Sequence, residues 1–381
     1  MNYNWLNLMF DVVIIGGNLA GATASIHAAE KGAKVALIER NKEPLFPPHC
    51  GEAIGDFTAK WLGLEEINCT SNDVKNIIFN VSSLKEYTFN LRKHRLIIFD
   101  RNYLEKTLLK KADKLGVKLI FGRSMRDFKP PHEIILDNTN KINGRVIIDA
   151  SGIACQIGRR IGINTLLGPE DIGVCIQSRV QSTFTPDTVR MWYHKPYAPF
   201  GYAWVFPINE SMANIGIGIP GGQKVDLDLL LKNYIDDLTS SKYKITSTFR
   251  ACVPSAPPLS SLTKNNVMIV GDAARLANPT SGSGIESAIF SGGLAGKIAA
   301  DYVNGKISSL KPYQDLMHSK IITLKKIHIR KTKLTTEKKF INAHKRFFKI
   351  MFLIDKLVPN LLETRVTKTI ERDKFIFESY Q

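Results

Sequence analysis

The chain has 381 residues, of which 44% are hydrophobic and 23% are charged, and its formal net charge is +17. This length and composition suit a globular protein with an ample core, arranged as one large domain or as two interlocked domains. No stretch approaches about 18 uninterrupted apolar residues, so we expect no transmembrane helix, and the N-terminal segment lacks the pattern of a signal peptide. The five cysteines are widely spaced and form no CxxC pair, so we expect free thiols and no bound metal.

Residues 11–40, DVVIIGGNLAGATASIHAAEKGAKVALIER, have the pattern of a strand, a glycine-rich turn, a helix and a second strand. Such a turn places backbone N–H groups and a helix N-terminus against a pyrophosphate, and Glu39 at the end of the second strand would reach a ribose hydroxyl. The segment therefore predicts a dinucleotide site. The alternative is an ordinary strand–helix–strand crossover with a glycine-rich turn.

Asn18 departs from the fingerprint of these sites. The fingerprint has glycine at its first, third and sixth positions, which here are Gly16, Asn18 and Gly21. The third glycine normally lets the backbone approach the pyrophosphate. Because Asn tolerates positive φ better than other non-glycine residues, we expect Asn18 to have positive φ or to turn its amide toward a phosphate.

After this segment the chain leaves the nucleotide fold and returns to it. A loop with Pro44, Pro47 and Pro48 precedes a short helix, a group of strands that we expect to form one small sheet, a longer helix and two strands of the first sheet. These predicted elements are the helix 56–64, the strands 74–80, 87–91 and 96–99, the helix 101–115, and the strands 117–121 and 146–149.

A second sheet region follows, in which prolines and glycines separate short apolar or alternating runs. After it come a buried strand, a loop rich in glycine, and a helix of small residues that should pack tightly. The predicted elements are the strands 173–180, 189–193, 202–206 and 213–219, the helix 226–238, the strand 267–270 and the helix 285–303.

The C-terminal part differs in charge. Residues 318–349 contain 11 Lys or Arg and one acidic residue, Glu337, and the apolar stretch FFKIMFLIDKLVPNLL overlaps their end. A basic helix beside exposed Phe and Leu side chains suits an anionic membrane surface. The alternative is a solvated helix that packs on the core through its apolar side. We expect no nucleic-acid partner, because no reading motif is present.

Four segments together resemble one family. They are DVVIIGGNLAG, PPHCGEAI, FGYAWVFPINESMANIGIGIPGG and VMIVGDAARLANPTSGSGIESAIFSGGLAG. In order and spacing they resemble the geranylgeranyl reductases, whose archaeal members saturate the isoprenoid chains of membrane lipids. The first and last segments are common to the wider hydroxylase-like group of FAD enzymes, whereas PxCGE, YxWxFP and the following NxGxG are more particular to the reductases.

The resemblance implies an α/β fold in three parts. A Rossmann-like FAD-binding domain with a parallel sheet is expected from residues 1–57, 95–165 and 263–305. A mainly antiparallel substrate domain is expected from residues 58–94 and 166–262. A basic helical region is expected from residues 306–381.

The resemblance also implies how FAD is held. The glycine-rich turn and Glu39 would hold the adenosine, Arg101 would meet the flavin or its phosphates, and Asp272 would bind the ribityl chain. The loop 278–284 would run beside the isoalloxazine. The implied cofactor contacts are Gly16, Gly17, Asn18, Ala20, Gly21, Glu39, Arg40, Cys50, Gly51, Arg101, Gly271, Asp272, Gly282, Gly284 and Ile285. Taken singly, Asp272 would be read as a helix N-cap and Arg101 as a surface ion pair.

Cys50 is implied to lie near the flavin, facing the substrate cavity. Reduction of an isolated C=C bond takes a hydride to one carbon and a proton to the other, and Cys50 is a candidate neutral proton donor. The alternative is that this cysteine only shapes the pocket. Tyr202, Trp204 and Phe206 alternate along a strand and line one of its faces, which suits either a sheet core or an isoprenoid chain. We therefore assign Cys50, Tyr202 and Trp204 to the catalytic centre, and Trp204, Phe206 and Pro279 to the substrate.

The predicted activity is FAD-dependent saturation of C=C bonds in geranylgeranyl chains of membrane lipids or prenyl diphosphates. No second nucleotide fingerprint occurs, so we expect an external electron donor, either a ferredoxin-type protein or NADPH. The alternatives are an FAD-dependent monooxygenase and a membrane-associated flavin carrier that reduces quinone. We expect a cytoplasmic protein, peripheral on the inner face of the cell membrane.

Overall fold

The structure is a computed structural model that describes residues 9–43, 49–61, 63–64, 66–81, 86–92, 95–240, 242–357 and 361–380. For residues 361–367, 369 and 370 it describes the backbone alone. The chain is a mixed α/β protein with a largely parallel sheet, a largely antiparallel sheet and C-terminal helices, as predicted.

The strands are numbered in chain order. They are β1 (Met9–Ile15), β2 (Val35–Glu39), β3 (Ala53–Gly55), β4 (Thr70–Val74), β5 (Asn76–Val81), β6 (Glu86–Asn90), β7 (Leu96–Phe99), β8 (Lys118–Phe121), β9 (Met125–Lys129), β10 (Glu133–Leu136), β11 (Lys141–Asp149), β12 (Ile172–Gln181), β13 (Thr188–His194), β14 (Ala198–Asn209), β15 (Met212–Pro220), β16 (Lys244–Pro254), β17 (Thr263–Lys264) and β18 (Val267–Ile269).

The α-helices are numbered in the same way. They are α1 (Leu19–Glu30), α2 (Asp56–Trp61), α3 (Arg101–Lys114), α4 (Gln156–Arg160), α5 (Leu227–Thr239), α6 (Ile285–Val303), α7 (Lys311–Thr332), α8 (Glu337–Leu357) and α9 (Leu361–Ser379).

The first sheet has the order β17-β18-β11-β1-β2-β8, and the hairpin β9–β10 continues from β11. Strands β8, β2, β1, β11 and β18 are parallel. The apolar runs of β1, β2, β11 and β18 are buried, as expected for a sheet covered by helices, and that of the edge strand β8 is half-buried. Ile15 is paired with Asp149, and Asp149 with Ile269. The carboxyl ends of these strands, and the residues that follow them, therefore meet at one edge.

Helices α1 and α6 pack against each other beside this sheet. Their contact is made by small buried residues, including Ala20 and Ala24 of α1 and Gly292 and Gly296 of α6. Helix α6 has the predicted bounds. The small residues along its length leave room for the close crossing with α1. The crossing holds the start of α1 next to the loop that precedes α6.

The second sheet has the order β16-β12-β15-β14-β13-β5-β6 and is antiparallel except for the β13–β5 pair. Helix α5 covers one of its faces through Leu231, Tyr234 and Ile235, which are buried in the same hydrophobic cluster as strand residues of the sheet. Strands β12 to β15 confirm the predicted strands. Strand β16 was not predicted from the sequence, although half-buried and exposed residues alternate along it from Ser247 to Val253.

The prediction of one small sheet from residues 74–99 is wrong. Strands β5 and β6 join the second sheet, whereas β7 pairs with β3 and β4 in a separate three-stranded sheet. Local alternation identifies a strand but not its partners, which here include β13, about a hundred residues along the chain.

The C-terminal helices pack on both parts of the protein. On α7, Tyr313 donates a hydrogen bond to the carbonyl of Ile269. Lys320 of α7 pairs with Asp373 of α9, with a distance of 2.7 Å between Nζ and Oδ2. Helix α8 lies on β5, β6 and β13, where Phe348 is buried. Among the described residues, no helix is both long and apolar enough to cross a membrane.

Candidate active site

The glycine-rich turn between β1 and α1 has the geometry of a nucleotide cradle. Gly16 has φ +105°, and a Cβ atom there would lie 2.3 Å from the carbonyl oxygen of Ala150, so the turn requires glycine. The N–H of Gly17 donates to Oε2 of Glu39 at 2.7 Å. Within the described part of the chain, no side chain caps the N-terminus of α1. Its first N–H groups are therefore available to an anion.

Asn18 does not have the expected positive φ. Its φ is −72° and its ψ is −176°, so it has extended backbone at the N-cap position of α1. Gly16 already provides the positive φ that the turn requires. In the amide orientation that satisfies both polar atoms, Nδ2 of Asn18 donates to the Glu105 carboxylate. The expectation about backbone conformation was therefore wrong, and contact between Asn18 and the cofactor stays a prediction.

Asp272 lies at the same edge, after the carboxyl end of β18. Burial raises the pKa of its carboxyl group, and the positive charge of Arg101 opposes this shift. Among the described residues, no hydrogen-bond donor reaches the carboxylate. Because a half-buried carboxylate is stabilised by donors, the hydroxyl groups of a ribityl chain would complete this site. The residues present therefore fit a dinucleotide that extends beyond its adenosine end.

The loop before α6 approaches Asp272 from the other side. Oδ1 of Asn278 accepts hydrogen bonds from the N–H groups of Thr280 and Ser281, which fix the loop. A Cβ atom on Gly284 would lie 3.4 Å from Oδ1 of Asp272, and Ile285 begins α6. The predicted contacts in residues 278–285 are thus next to the predicted ribityl site.

Arg101 and Cys50 lie together on the side toward the second sheet. Arg101 is the first residue of α3, and its Nε donates to Oε1 of Glu105 at 2.7 Å. Burial raises the pKa of the Cys50 thiol, and the Arg101 charge lowers it by a smaller amount. Cys50 is therefore a neutral thiol near neutral pH. Pro44, Pro47 and Pro48 of the same loop lie outside the described residues.

Glu52 joins this loop to the rest of the site and was missed by the sequence analysis. Its side chain is 2% exposed and its φ is +64°. The carboxylate accepts hydrogen bonds from the backbone N–H of Arg101 at 3.1 Å, from Nδ2 of Asn214 at 2.7 Å and from Arg179. Burial raises its pKa, and Arg179 opposes the shift. The available signals were its place as the Glu of the PxCGE motif and an Arg in the otherwise uncharged strand IGVCIQSRVQ.

The aromatic residues of β14 form a wall beside Cys50. Nε1 of Trp204 donates to Oε1 of Gln177 at 2.8 Å, and Nε2 of Gln177 donates to the carbonyl of Cys50 at 3.0 Å. The ring of Phe206 covers Gly51, where a Cβ atom would lie 2.8 Å from Cε2. Gln177 was also missed, because a single Gln in a strand gives no signal of its partners. The structure thus brings the predicted catalytic and substrate residues to one wall.

The NxGxG pattern after this strand is explained by Trp204. Its ring lies across β15, where a Cβ atom on Gly216 would be 2.2 Å from Cζ2. Trp204 is 6% exposed. The glycines of β15 therefore make room for the aromatic wall.

A groove continues from the wall. Tyr202 donates a hydrogen bond to the carbonyl of Ser281 at 2.5 Å and lines the groove with Pro279. The lining also includes the apolar side chains of Phe200, Ile219 and Val253 and the polar residues Ser255, Asn278, Thr280, Ser281 and Lys331. Two predicted cofactor residues are positioned differently: Arg40 is exposed, and Ala20 is buried under α6. Their roles stay predictions.

The fold and the site define this protein as an FAD-dependent oxidoreductase. Residues 11–152 match the family model described as glucose inhibited division protein A, and residues 171–253 match that described as geranylgeranyl reductase catalytic domain. The second match agrees with the resemblance to the geranylgeranyl reductases that the four motif segments predict.

Curated relatives agree over most of the chain. Digeranylgeranylglycerophospholipid reductase 1 of Methanococcoides burtonii is 29% identical over 316 residues, which cover 77% of this chain and 75% of the relative. A protein of the same name from Methanopyrus kandleri is 28% identical over 324 residues, which cover 80% of this chain and 85% of the relative.

Solved structures share the fold. A geranylgeranyl bacteriochlorophyll reductase-like protein from Thermoplasma acidophilum has a TM-score of 0.76 and 24% identity, covering 88% of this chain and 90% of that chain. A myxobacterial chondrochloren halogenase, described as a variant of FAD-dependent halogenases, has a TM-score of 0.65 and 19% identity, covering 81% of this chain and 78% of that chain.

Proposed function

We propose that this protein saturates C=C bonds of geranylgeranyl chains in membrane lipids or prenyl diphosphates. The observation that carries the proposal is the aromatic wall of β14, hydrogen-bonded through Gln177 to the loop that presents Cys50. An isolated alkene offers no polar handle, so its binding depends on an apolar surface and on shape. The names of the curated relatives support the same substrate class. The monooxygenase and quinone-carrier alternatives gain no support beyond the shared fold.

When bound, FAD in its reduced form supplies the hydride. The residues of this chain position the alkene and supply the proton. Sγ of Cys50 carries a proton because burial raises the pKa of the thiol, and the neighbouring Arg101 charge stabilises the thiolate left after transfer. A proton from solvent then restores the thiol.

The test of this function uses the flavin-loaded protein reduced with dithionite and mixed with a geranylgeranyl phospholipid. We expect mass spectrometry to detect one added H2 for each reduced bond, and no change with the oxidised protein. Intact double bonds after full reduction of the flavin would overturn the proposal.

The role of Cys50 is tested by Cys50→Ala, with Cys252→Ala as the matched control because Cys252 is an exposed free thiol. We expect the first variant to lower kcat by about a hundredfold, the size of a lost general acid, with little change in KM. The control should behave as the wild type. Equal kcat for Cys50→Ala and the wild type would exclude the thiol as the proton donor and leave it a pocket-shaping residue.

Helix α8 supports the proposed contact with an anionic membrane. Its inner face is buried on the second sheet, whereas four large apolar side chains point outward at helical spacing. They are Phe347, Ile350, Leu353 and Leu357, which are 53%, 46%, 46% and 78% exposed. Arg346, Lys349 and Lys356 are exposed on the same helix. This combination of apolar and basic residues suits the interface of an anionic bilayer.

Vesicle flotation tests this contact. We expect the protein to float with phosphatidylglycerol vesicles and to bind phosphatidylcholine vesicles less. The double variant Phe347→Ser, Leu353→Ser should lose flotation, whereas Leu229→Ser, at a residue that is 54% exposed on α5, should keep it. Equal flotation of both variants would contradict a role for α8.

The electron donor is proposed to be external. A ferredoxin-type protein and NADPH are the two candidates, and anaerobic reduction of the bound flavin by each, followed by its absorbance, distinguishes them. Loss of the flavin absorbance with either candidate supports an external donor. If neither candidate removes the absorbance, both are excluded as the donor.

A further inference from the structure

The groove beside Tyr202 contains one cationic side chain among its described lining residues, Lys331 of α7. Lys331 is partly buried, and burial lowers the pKa of its ammonium group while the charge of Asp171 opposes the shift. Within the described part of the chain, no carboxylate lies within ion-pair distance of Nζ. A partly buried ammonium group without a partner in the chain is stabilised either by water or by a bound anion.

The position of Lys331 is fixed by the residue one helical turn before it. Nδ1 of His328 lies 3.1 Å from the carbonyl oxygen of Ser255, and Ser255 is itself part of the groove lining. Residues three apart lie on the same face of a helix. The face of α7 that carries Lys331 is therefore held against the rim of the groove.

A second cation lies near the same rim. Arg275 donates to the carbonyl of Leu166 at 3.0 Å, and burial lowers the pKa of its guanidinium while Asp171 opposes this shift too. Asp171 accepts a hydrogen bond from the N–H of Gly168 at 3.1 Å. Lys331 and Arg275 thus both interact with the carboxylate of Asp171, and the neighbouring Glu170 adds a second carboxylate to the same segment.

Tyr202, at the end of the groove next to the aromatic wall, and Lys331, at the rim, lie at different places along the groove. Tyr202 is on β14, and Ser255 directly follows β16, which is three strands away in the order β14-β15-β12-β16. At about 4.8 Å between neighbouring strands, this separation is about 14 Å. The lining of the groove includes the apolar side chains of Ile219 and Val253. An apolar chain with an anionic head matches this arrangement.

We propose that Lys331, held in place by His328, binds the phosphate or diphosphate group of the prenyl substrate at the rim of the groove. This inference rests on the proposed function for its substrate class. The shared chemistry is a phosphate ester, which a glycerophospholipid and a prenyl diphosphate both provide. Lys331 would orient the substrate so that its chain runs toward Tyr202.

The experiment measures equilibrium binding to the flavin-loaded protein in detergent. Three probes are used: geranylgeranyl diphosphate, a digeranylgeranyl glycerophospholipid, and geranylgeraniol, which has the same chain without a charge. The variants are Lys331→Gln, Lys331→Arg and, as the matched control, Lys333→Gln, because Lys333 is exposed and does not line the groove.

We expect Lys331→Gln to raise the Kd of a phosphate-bearing probe about tenfold and to change that of geranylgeraniol by less than about twofold. Lys331→Arg should restore most of the binding, and Lys333→Gln should match the wild type with every probe. Loss confined to the phospholipid or to the diphosphate would support the site and identify the natural head group.

Equal weakening of charged and uncharged probes by Lys331→Gln would overturn the proposal, because it would indicate a packing role. Unchanged binding of every probe would also overturn it. The proposed function is tested separately. If no double bond is reduced but diphosphate binding still depends on Lys331, the proposed function fails and the proposed anion site is supported. If double bonds are reduced and Lys331→Gln binds normally, only the anion site fails.

Discussion

At the scale of single residues, the site depends on a buried carboxylate. Glu52 links three parts of the chain, because it accepts hydrogen bonds from the start of α3, from β12 through Arg179 and from β15 through Asn214. Its positive φ turns the backbone directly after Cys50 and Gly51. A buried charge that is held by several donors fixes the position of the loop that carries it.

Replacement of this carboxylate should therefore destabilise the protein. For Glu52→Gln we expect a loss of about 2 kcal/mol in the free energy of unfolding, because Arg179 loses its partner while the amide keeps part of the hydrogen bonding. Glu86→Gln breaks an exposed pair with Arg190 and should cost less than about 1 kcal/mol. Urea unfolding of both variants measures the difference. Equal losses of unfolding free energy in the two variants would mean that the Glu52 carboxylate does not hold its loop in place.

At the scale of elements, α8 is attached through two buried histidines. His194 is 2% exposed, and its Nε2 lies 3.6 Å from the Glu337 carboxylate at the start of α8. His344 on α8 packs on Tyr193 and Phe340, with ring centroids 4.8 Å and 4.2 Å away. Burial lowers the pKa of both histidines; Glu337 raises that of His194, and Lys195 lowers it.

This attachment should weaken in acid. A histidine with a lowered pKa in the folded state binds protons more readily when unfolded. The contribution of these histidines to the free energy of unfolding is therefore fully present above about pH 6.5, and it is lost as the pH drops from there through the folded pKa values. We expect faster hydrogen exchange in residues 337–357 at about pH 5 than at about pH 7, after correction for intrinsic rates. His344→Gln should reduce this difference. Exchange in α8 that does not depend on pH would contradict the role of the histidines.

At the scale of the whole molecule, the cofactor site is assembled from distant segments. The turn at Gly16, the carboxylate of Glu39, the start of α3 and the loop around Asp272 meet only when the first sheet is complete. A ligand that contacts all of these segments binds the folded state and not the unfolded chain.

FAD should therefore raise the melting temperature. At a concentration of about one hundred times Kd, linkage predicts a gain of about 2.7 kcal/mol, which is several degrees for a protein of this size. Calorimetry of the apoprotein with and without FAD measures the gain, and NAD at the same concentration is the control. A larger gain with NAD than with FAD would contradict the assignment of Asp272 to the ribityl end.

The sequence by itself determined the features that depend on local order. Residues 11–40 predicted the strand, turn and helix of the nucleotide cradle, because backbone periodicity and a required positive φ at Gly16 act over a few residues. The bounds of α6 and the four central strands of the second sheet were predicted for the same reason. The motif segments also predicted the resemblance that the family models and the curated relatives support, since their spacing is a property of the chain alone.

Only the tertiary structure decided which side chains meet. Glu52 is more than a hundred residues along the chain from Arg179 and from Asn214, and nothing in their local sequence specifies the contact. The same is true of the pairing of Gln177 with Trp204 and Cys50, of β5 with β13, and of Lys331 with the rim of the groove. Contacts across long loops depend on how the sheets are ordered, and periodicity within a segment carries no information about that order.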